Sequence, residues 1–213
     1  MIVEGIVVGP LQENCWLVAD PASREAVLID PGDEADSLLA AVDATGCTLA
    51  AIWLTHAHVD HVGAVAPIAR NRDVPVFVHP GDAMFYDGAP TMGLRYGMRI
   101  EPLPASRISL NEGDRLTVGA LAFEVWHLPG HAPGHVAFLA AGLCFSGDVL
   151  FAGSIGRTDL PLSDPAAMHA SLQRLATLPA DTRVFPGHGV ETTIGRELAS
   201  NPFLRGLARP VGA

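Results

Sequence analysis

The sequence predicts an α/β fold in which two sheets pack together with helices outside. Three observations carry that prediction. Short β-rich runs recur in both halves of the chain. Segments with helical periodicity are interspersed among them. Finally, 49% of the 213 residues are hydrophobic and 17% charged, enough apolar material for a sizeable core and too little charge for disorder.

Residues 2–30 read as a small meander, with strands over Ile2–Val8, Cys15–Ala19 and Ala26–Ile29 and an end at Asp30-Pro31-Gly32. Helical spacing follows over 33–46. Asp33 serves as N-cap, Leu38, Leu39 and Val42 form the apolar stripe, and Gly46 is the C-cap. Leu49–Leu54 is a short, bulky, uncharged run, suited to a strand buried on both faces. Val62, Val65 and Ala69 suggest a second helix, provided Pro67 lies in its first turn. Val74–Val78 is a further strand. Residues 80–106, rich in glycine and proline, are the least regular part and hold Met84, Tyr86, Met92, Tyr96 and Met98. This segment is read either as a flap over a cleft or as a packed connection or oligomer contact.

Strands return at Arg107–Leu110, Arg115–Val118, Leu121–Trp126, Val136–Leu139 and Leu143–Ser146. Asp164-Pro165 is an N-cap and N1 pair opening a helix that runs towards Pro179. Arg183–Phe185 is a last brief strand and Glu191–Ser200 a last helix. The two halves share this coarse order of elements, a faint sign of an internal repeat.

The formal charge is −10, and all 13 basic residues are arginine. With no basic run to release counterions, nucleic-acid binding is not expected. The apolar runs are too short to cross a bilayer, and the N-terminus has no basic stretch before an apolar core, so neither membrane nor secretion is expected. Cys15, Cys47 and Cys144 are isolated and odd in number, which fits a reduced, cytoplasmic setting.

Chemistry concentrates at His56, His58, Asp60 and His61, directly after the Leu49–Leu54 run. A strand ending in His-x-His-x-Asp-His can project two imidazoles to one side and a carboxylate with an imidazole to the other. Such a loop can serve two neighbouring metal ions. Three more candidates each follow a short strand and sit beside glycine: His131 after Gly130, Asp148 after Gly147, and His188 after Gly187. Glycine there lets the backbone approach closely. Five histidines and two aspartates without thiolate suit zinc, or iron and manganese, better than a structural Cys-rich zinc site. His127 and His135 are read either as partners that orient a ligand imidazole or as turn residues. His79 is expected in a turn and His169 on a solvated helix face.

This series resembles the metallo-β-lactamase superfamily, whose signature is His-x-His-x-Asp-His followed by a separate His, Asp and His. The resemblance covers most of the chain. It implies an αββα sandwich over residues 1–213 as a single domain, with His56, His58 and His131 on one metal, Asp60, His61 and His188 on a second, and Asp148 bridging. It further implies a metal-bound hydroxide as nucleophile, which Asp60 can orient. The wording around Phe145–Asp159 and Pro186–Glu197, and the opening Gly9–Cys15, is similar to the short glyoxalase II-like hydrolases. That implies a small-molecule substrate, a thioester of the S-lactoylglutathione type, or another ester or lactone. Arg157 stands where those enzymes hold glutathione with a basic residue, and it also reads as a brace for Asp159 or Asp148. Their tyrosine is replaced here by Asp159, and no C-terminal helical glutathione-binding domain is expected. Gly156-Arg157-Thr158-Asp159 is also similar to the persulfide dioxygenases, which would use one iron on His56, His131 and Asp148. The sequence leaves the oligomeric state open.

Overall fold

The computed structural model describes residues 1–211. A first sheet of six strands runs in the order β1 (Ile2–Val8), β2 (Glu13–Asp20), β3 (Glu25–Ile29), β4 (Thr48–Trp53), β5 (Val76–Val78) and β6 (Ile108–Ser109). Its first three strands are antiparallel, and β3 to β6 are parallel. The second sheet contains β7 (Arg115–Val118), β8 (Leu121–His127), β9 (Val136–Ala140), β10 (Leu143–Gly147), β13 (Arg183–Pro186) and β14 (Thr192–Thr193), ordered β14-β13-β10-β9-β8-β7. A small hairpin of β11 (Leu150–Phe151) and β12 (Ser154–Ile155) stands beside it.

Side-chain alternation along the central strands explains why two sheets must meet. Trp16, Val18, Val27, Ile29 and Trp53 face Phe123, Phe138, Phe145 and Phe185 in one buried cluster. The intervening residues Leu17, Leu28 and Ile52 point the other way, onto helices α1 (Ala35–Ala44), α3 (Val65–Arg72) and α4 (Ala83–Gly93). On the far side of the second sheet, Cys144 and Val184 pack under α5 (Pro165–Leu175) and α6 (Ile194–Ser200). Three apolar layers between four layers of structure make the αββα sandwich. The aromatic middle layer is tight, with Phe145 and Phe185 stacked at 4.8 Å and 17°. Burying one such ring contributes about 1.5–3 kcal/mol.

Several local expectations shift. α1 is entered from Glu34 in a left-handed conformation, and Asp33 instead accepts the Glu34 N–H. Gly46 does adopt positive φ (70°) just beyond the helix end. Pro67 falls in the first turn of α3. The last helix begins later than expected, at Ile194, because Thr192 and Thr193 pair with β13. Residues 80–106 are more regular than their composition suggests. A 3-10 turn at Pro80–Asp82 leads into α4, an 11-residue helix with Pro90 inside it. Phe85, Tyr86 and Ala89 are buried, and the Arg107 guanidinium lies 4.7 Å from the Tyr86 ring centre. Among the described residues, no helix is long and apolar enough to cross a membrane.

Candidate metal centre

The short helix α2 (Val59–Val62) and the loop before it leave the end of β4, and this segment carries His56, His58, Asp60 and His61. His131 follows β8, Asp148 follows β10 and His188 follows β13. The two sheets thereby deliver all seven residues to one edge of the sandwich. Three overlapping donor groups form there; one, Asp30 with His56 and His61, shares its histidines with the other two, which between them hold all of the seven except Asp148. His56, His58 and His131 bring one nitrogen each within 4.8 Å of one another, and so do the ligand atoms of Asp60, His61 and His188. Asp148 lies between the groups: Oδ1 is 3.6 Å from His61 Nε2, and Oδ2 is 3.5 Å from His131 Nε2 and 3.7 Å from His188 Nε2. Close approach requires Gly187, because a Cβ there would collide with Asp148 Oδ1 and His61 Cε1.

Hydrogen bonds assign the histidine tautomers. The Thr55 hydroxyl donates to Asp30 Oδ2 at 2.6 Å, so it accepts from His56 Nδ1 at 3.1 Å. His61 Nδ1 donates to Asp30 Oδ2 at 3.1 Å, and His131 Nδ1 to the Arg157 carbonyl at 2.8 Å. When neutral, each of these rings presents an unprotonated Nε2, the form a metal ligand needs; His61, which its carboxylate neighbours draw towards the protonated form, must shed its Nε2 proton first. His58 Nδ1 and His131 Nε2 face each other at 2.9 Å. His56 Nε2, His61 Nε2 and Asp148 Oδ1 are buried with no hydrogen-bond partner. Buried polar atoms are ordinarily paired, so three orphans among converging nitrogen and oxygen donors fit divalent cations.

The two groups differ electrostatically. Burial, reinforced by neighbouring imidazoles, holds His56 well below the usual histidine range and His58 down to about 3. Burial would also lower His61, but the Asp148 and Asp60 carboxylates outweigh it and hold the ring well above its ordinary value. Burial opposes ionisation of Asp148 too, yet His61 chiefly keeps that carboxyl well below the usual range.

Other side chains support these. His135 accepts the Asp148 N–H at 3.0 Å and stacks on His56, which makes it a structural partner of two of the converging donors. His127 instead donates to the Pro133 carbonyl and stacks on His79, whose Nδ1 caps the Gly81 N–H. His169 is exposed on α5. Phe85 packs edge-on to His58 at 4.8 Å, so the 80–106 segment is both a packed connection and a wall of the site. Arg157 is exposed and forms a two-point ion pair with Asp159, at 2.9 Å for each bond. Sequence reasoning missed Asp30 as an acceptor. Its place in Asp30-Pro31-Gly32 signalled only the end of a strand, although its left-handed backbone (φ 53°) is unusual for a non-glycine residue.

A four-layer sandwich with this donor set at one edge defines a class, and the chain belongs to the metallo-beta-lactamase superfamily, whose domain matches residues 8–188. It is 38% identical over 209 residues to hydroxyacylglutathione hydrolase GloC of Haemophilus influenzae, covering 96% of this chain and 98% of that protein. It is also similar to TTHA1623, solved in a di-iron-bound form (52% identity, TM-score 0.88, 94% of this chain and 100% of that one). The B3 metallo-beta-lactamase BLEG-1 is a third relative, at 38% identity and TM-score 0.86, with 95% and 99% covered. Membership, with relatives named as hydrolases, supports a metal-dependent hydrolase.

Proposed function

We propose that His56, His58 and His131 hold one divalent ion, that Asp60, His61 and His188 hold a second, and that Asp148 bridges them. The protein would then hydrolyse thioesters of the S-lactoylglutathione type. The observation that carries the metal reading is the set of orphaned buried atoms on His56, His61 and Asp148. When bound, a pair of divalent ions supplies Lewis acidity and lowers the pKa of water towards neutrality. The chain's own groups do the rest. Asp30, Thr55 and the Arg157 carbonyl fix the imidazole tautomers. Asp60 has one oxygen 3.2 Å from His188 Nε2, and its other oxygen would accept a hydrogen bond from the attacking water and orient it. A thioester suits the site because its thiolate leaves without strong general-acid help.

The GloC relative supports a glutathione thioester, whereas the B3 metallo-beta-lactamase relative makes a lactam a competing substrate, beside the other esters or lactones that the sequence leaves open. Zinc is the metal we propose, with the di-iron form of TTHA1623 making iron its chief competitor and manganese a third choice. A mononuclear iron dioxygenase would use His56, His131 and Asp148 and leave the convergent Asp60, His61 and His188 without a task. We also retain a single domain and a cytoplasmic setting as expectations.

Elemental analysis of purified protein, run beside S-lactoylglutathione hydrolysis and oxygen uptake, tests these readings together. Two metals per chain, thioester cleavage and no oxygen consumption are expected. One iron per chain with oxygen uptake would replace the hydrolase reading with the dioxygenase one.

A further inference from the structure

Several buried polar groups outside the seven donors connect the loops that carry them. Asp82, at the end of the 3-10 turn before α4, is fully buried. Its Oδ2 accepts the Ala57 N–H at 3.0 Å, and its Oδ1 accepts the Gly134 N–H at 2.6 Å. Ala57 stands between His56 and His58. Gly134 stands three residues after His131. One carboxylate therefore joins the first sheet's donor loop to the loop of the second sheet that completes the first group. The approach is tight: a Cβ on Gly134 would lie 2.5 Å from Asp82 N, and one on Gly81 would lie 2.9 Å from Gly134 Cα. Burial pushes the Asp82 carboxyl up to about 6 against the pull of its two N–H partners, so the group is held there at an energetic cost.

The second group is tied down separately. Asn14 Nδ2 donates to the carbonyls of Pro186 (3.0 Å) and Gly189 (2.8 Å), on either side of His188. Trp16 Nε1 also donates to the Pro186 carbonyl, at 3.0 Å. None of these bonds involves Ala57 or Gly134.

We propose that Asp82 is a positioning residue for the first donor group: a carboxylate clamp that sets the spacing of His56 and His58 from His131, and so that group's cation affinity, independently of the second. This rests on the two-metal reading above. The geometry makes a specific demand. Both acceptor oxygens are used on N–H donors, so Asp82→Asn, of the same shape, would keep one bond and set an NH2 against the other donor. Without the clamp, the His131 loop keeps its bonds to the Arg157 carbonyl and to Ser163 but loses its Asp82 tie to the His56–His58 loop, and the first group loses affinity while the second keeps its own ties.

The test is zinc-chelator competition on the metal-loaded full chain, with anomalous scattering from zinc-loaded crystals reporting occupancy at each group. Asp82→Asn should weaken the first group about 10–100-fold and leave the second within about twofold. Asn14→Ser should show the reverse pattern. Unchanged affinity in Asp82→Asn, or equal weakening of both groups, overturns the proposal. If Asp82→Asn does not fold, Asp82→Ser, which keeps one acceptor, takes its place. Should neither fold as apoprotein, Asp82 serves the whole fold and the assignment to one group is overturned. A wild type that takes up no zinc defeats the metal reading itself, an outcome distinct from two bound zincs that Asp82→Asn leaves undisturbed.

Discussion

The two donor groups share an edge of the sandwich and one aspartate, yet their surroundings are opposite. His56, His58 and His131 are all imidazole; His56 has no exposed surface and the His131 side chain is 4% exposed. Asp60, His61 and His188 mix a carboxylate with two imidazoles, and the His188 side chain is 26% exposed. Burial and like-charge neighbours keep the first group's His56 and His58 neutral, while carboxylates draw His61 and His188 towards the protonated form. The lesson is about competition. A cation meeting His56 and His58 displaces few protons from them, whereas one entering the second group must displace protons that Asp60 and Asp148 help His61 to retain.

Substitutions that abolish the shared element should have the largest effect. Asp148→Ala removes the carboxylate that lies between the two groups and leaves His61 without its main compensating charge. Both metals should be lost or weakened, and kcat/KM for hydrolysis should fall on the order of 10³-fold or more. His58→Ala separates the groups. Metal content should drop by the first group's ion, the second should remain, and turnover should still fall steeply. If His58→Ala lost both ions together, the two groups would be one cooperative site and the contrast drawn above would fail.

Much of this was legible in the sequence, for identifiable reasons. The seven donors stand beside glycine or in one dense run, and the uninterrupted apolar run of Leu49–Leu54 correctly implied a strand covered on both faces. α4 was not legible, because Gly88, Pro90 and Gly93 weaken a helix locally. Burial of Phe85, Tyr86 and Ala89 outweighs that weakness, and such a gain depends on neighbours that local sequence does not show. Asp30 and Asp82 were missed for a related reason. Asp30 ends a strand before Pro31-Gly32 and Asp82 follows Pro80-Gly81, so both look like turn residues; their partners lie 25, 31 or 52 residues away, and no spacing announces them. Thr192–Thr193 read as helix because its pairing with β13 is likewise a tertiary contact.

Acidification offers a milder test of the contrast. His58, at about 3, stays neutral across the working range. His61 and His188 are raised above their ordinary 6.5, so they take up protons as the pH falls towards and below neutrality. Dialysis from about pH 8 to about pH 5 should therefore release the second ion first, read as metal content against pH. The metal-free protein should show the opposite sign. His61's raised value contributes stability that is fully present below pH 6.5 and lost as the pH rises through the folded value. The apoprotein's Tm should accordingly fall above neutrality while metal affinity climbs. Simultaneous release of both ions would remove the distinction between the groups.

Arg157 should give the smallest effect, and it touches the first group through its backbone alone. Its carbonyl fixes His131, so Arg157→Ala should leave metal content unchanged. The guanidinium is exposed and already paired with Asp159, and an exposed pair of this kind contributes little to stability. If the side chain also holds a glutathione carboxylate, Arg157→Ala should raise KM for S-lactoylglutathione between about twofold and tenfold with kcat nearly constant. Asp159→Ala should then lower KM, because it frees the same cation for substrate. KM unchanged in both variants would reduce Arg157 to a brace for its own loop, and glutathione recognition would have to come from elsewhere on the rim.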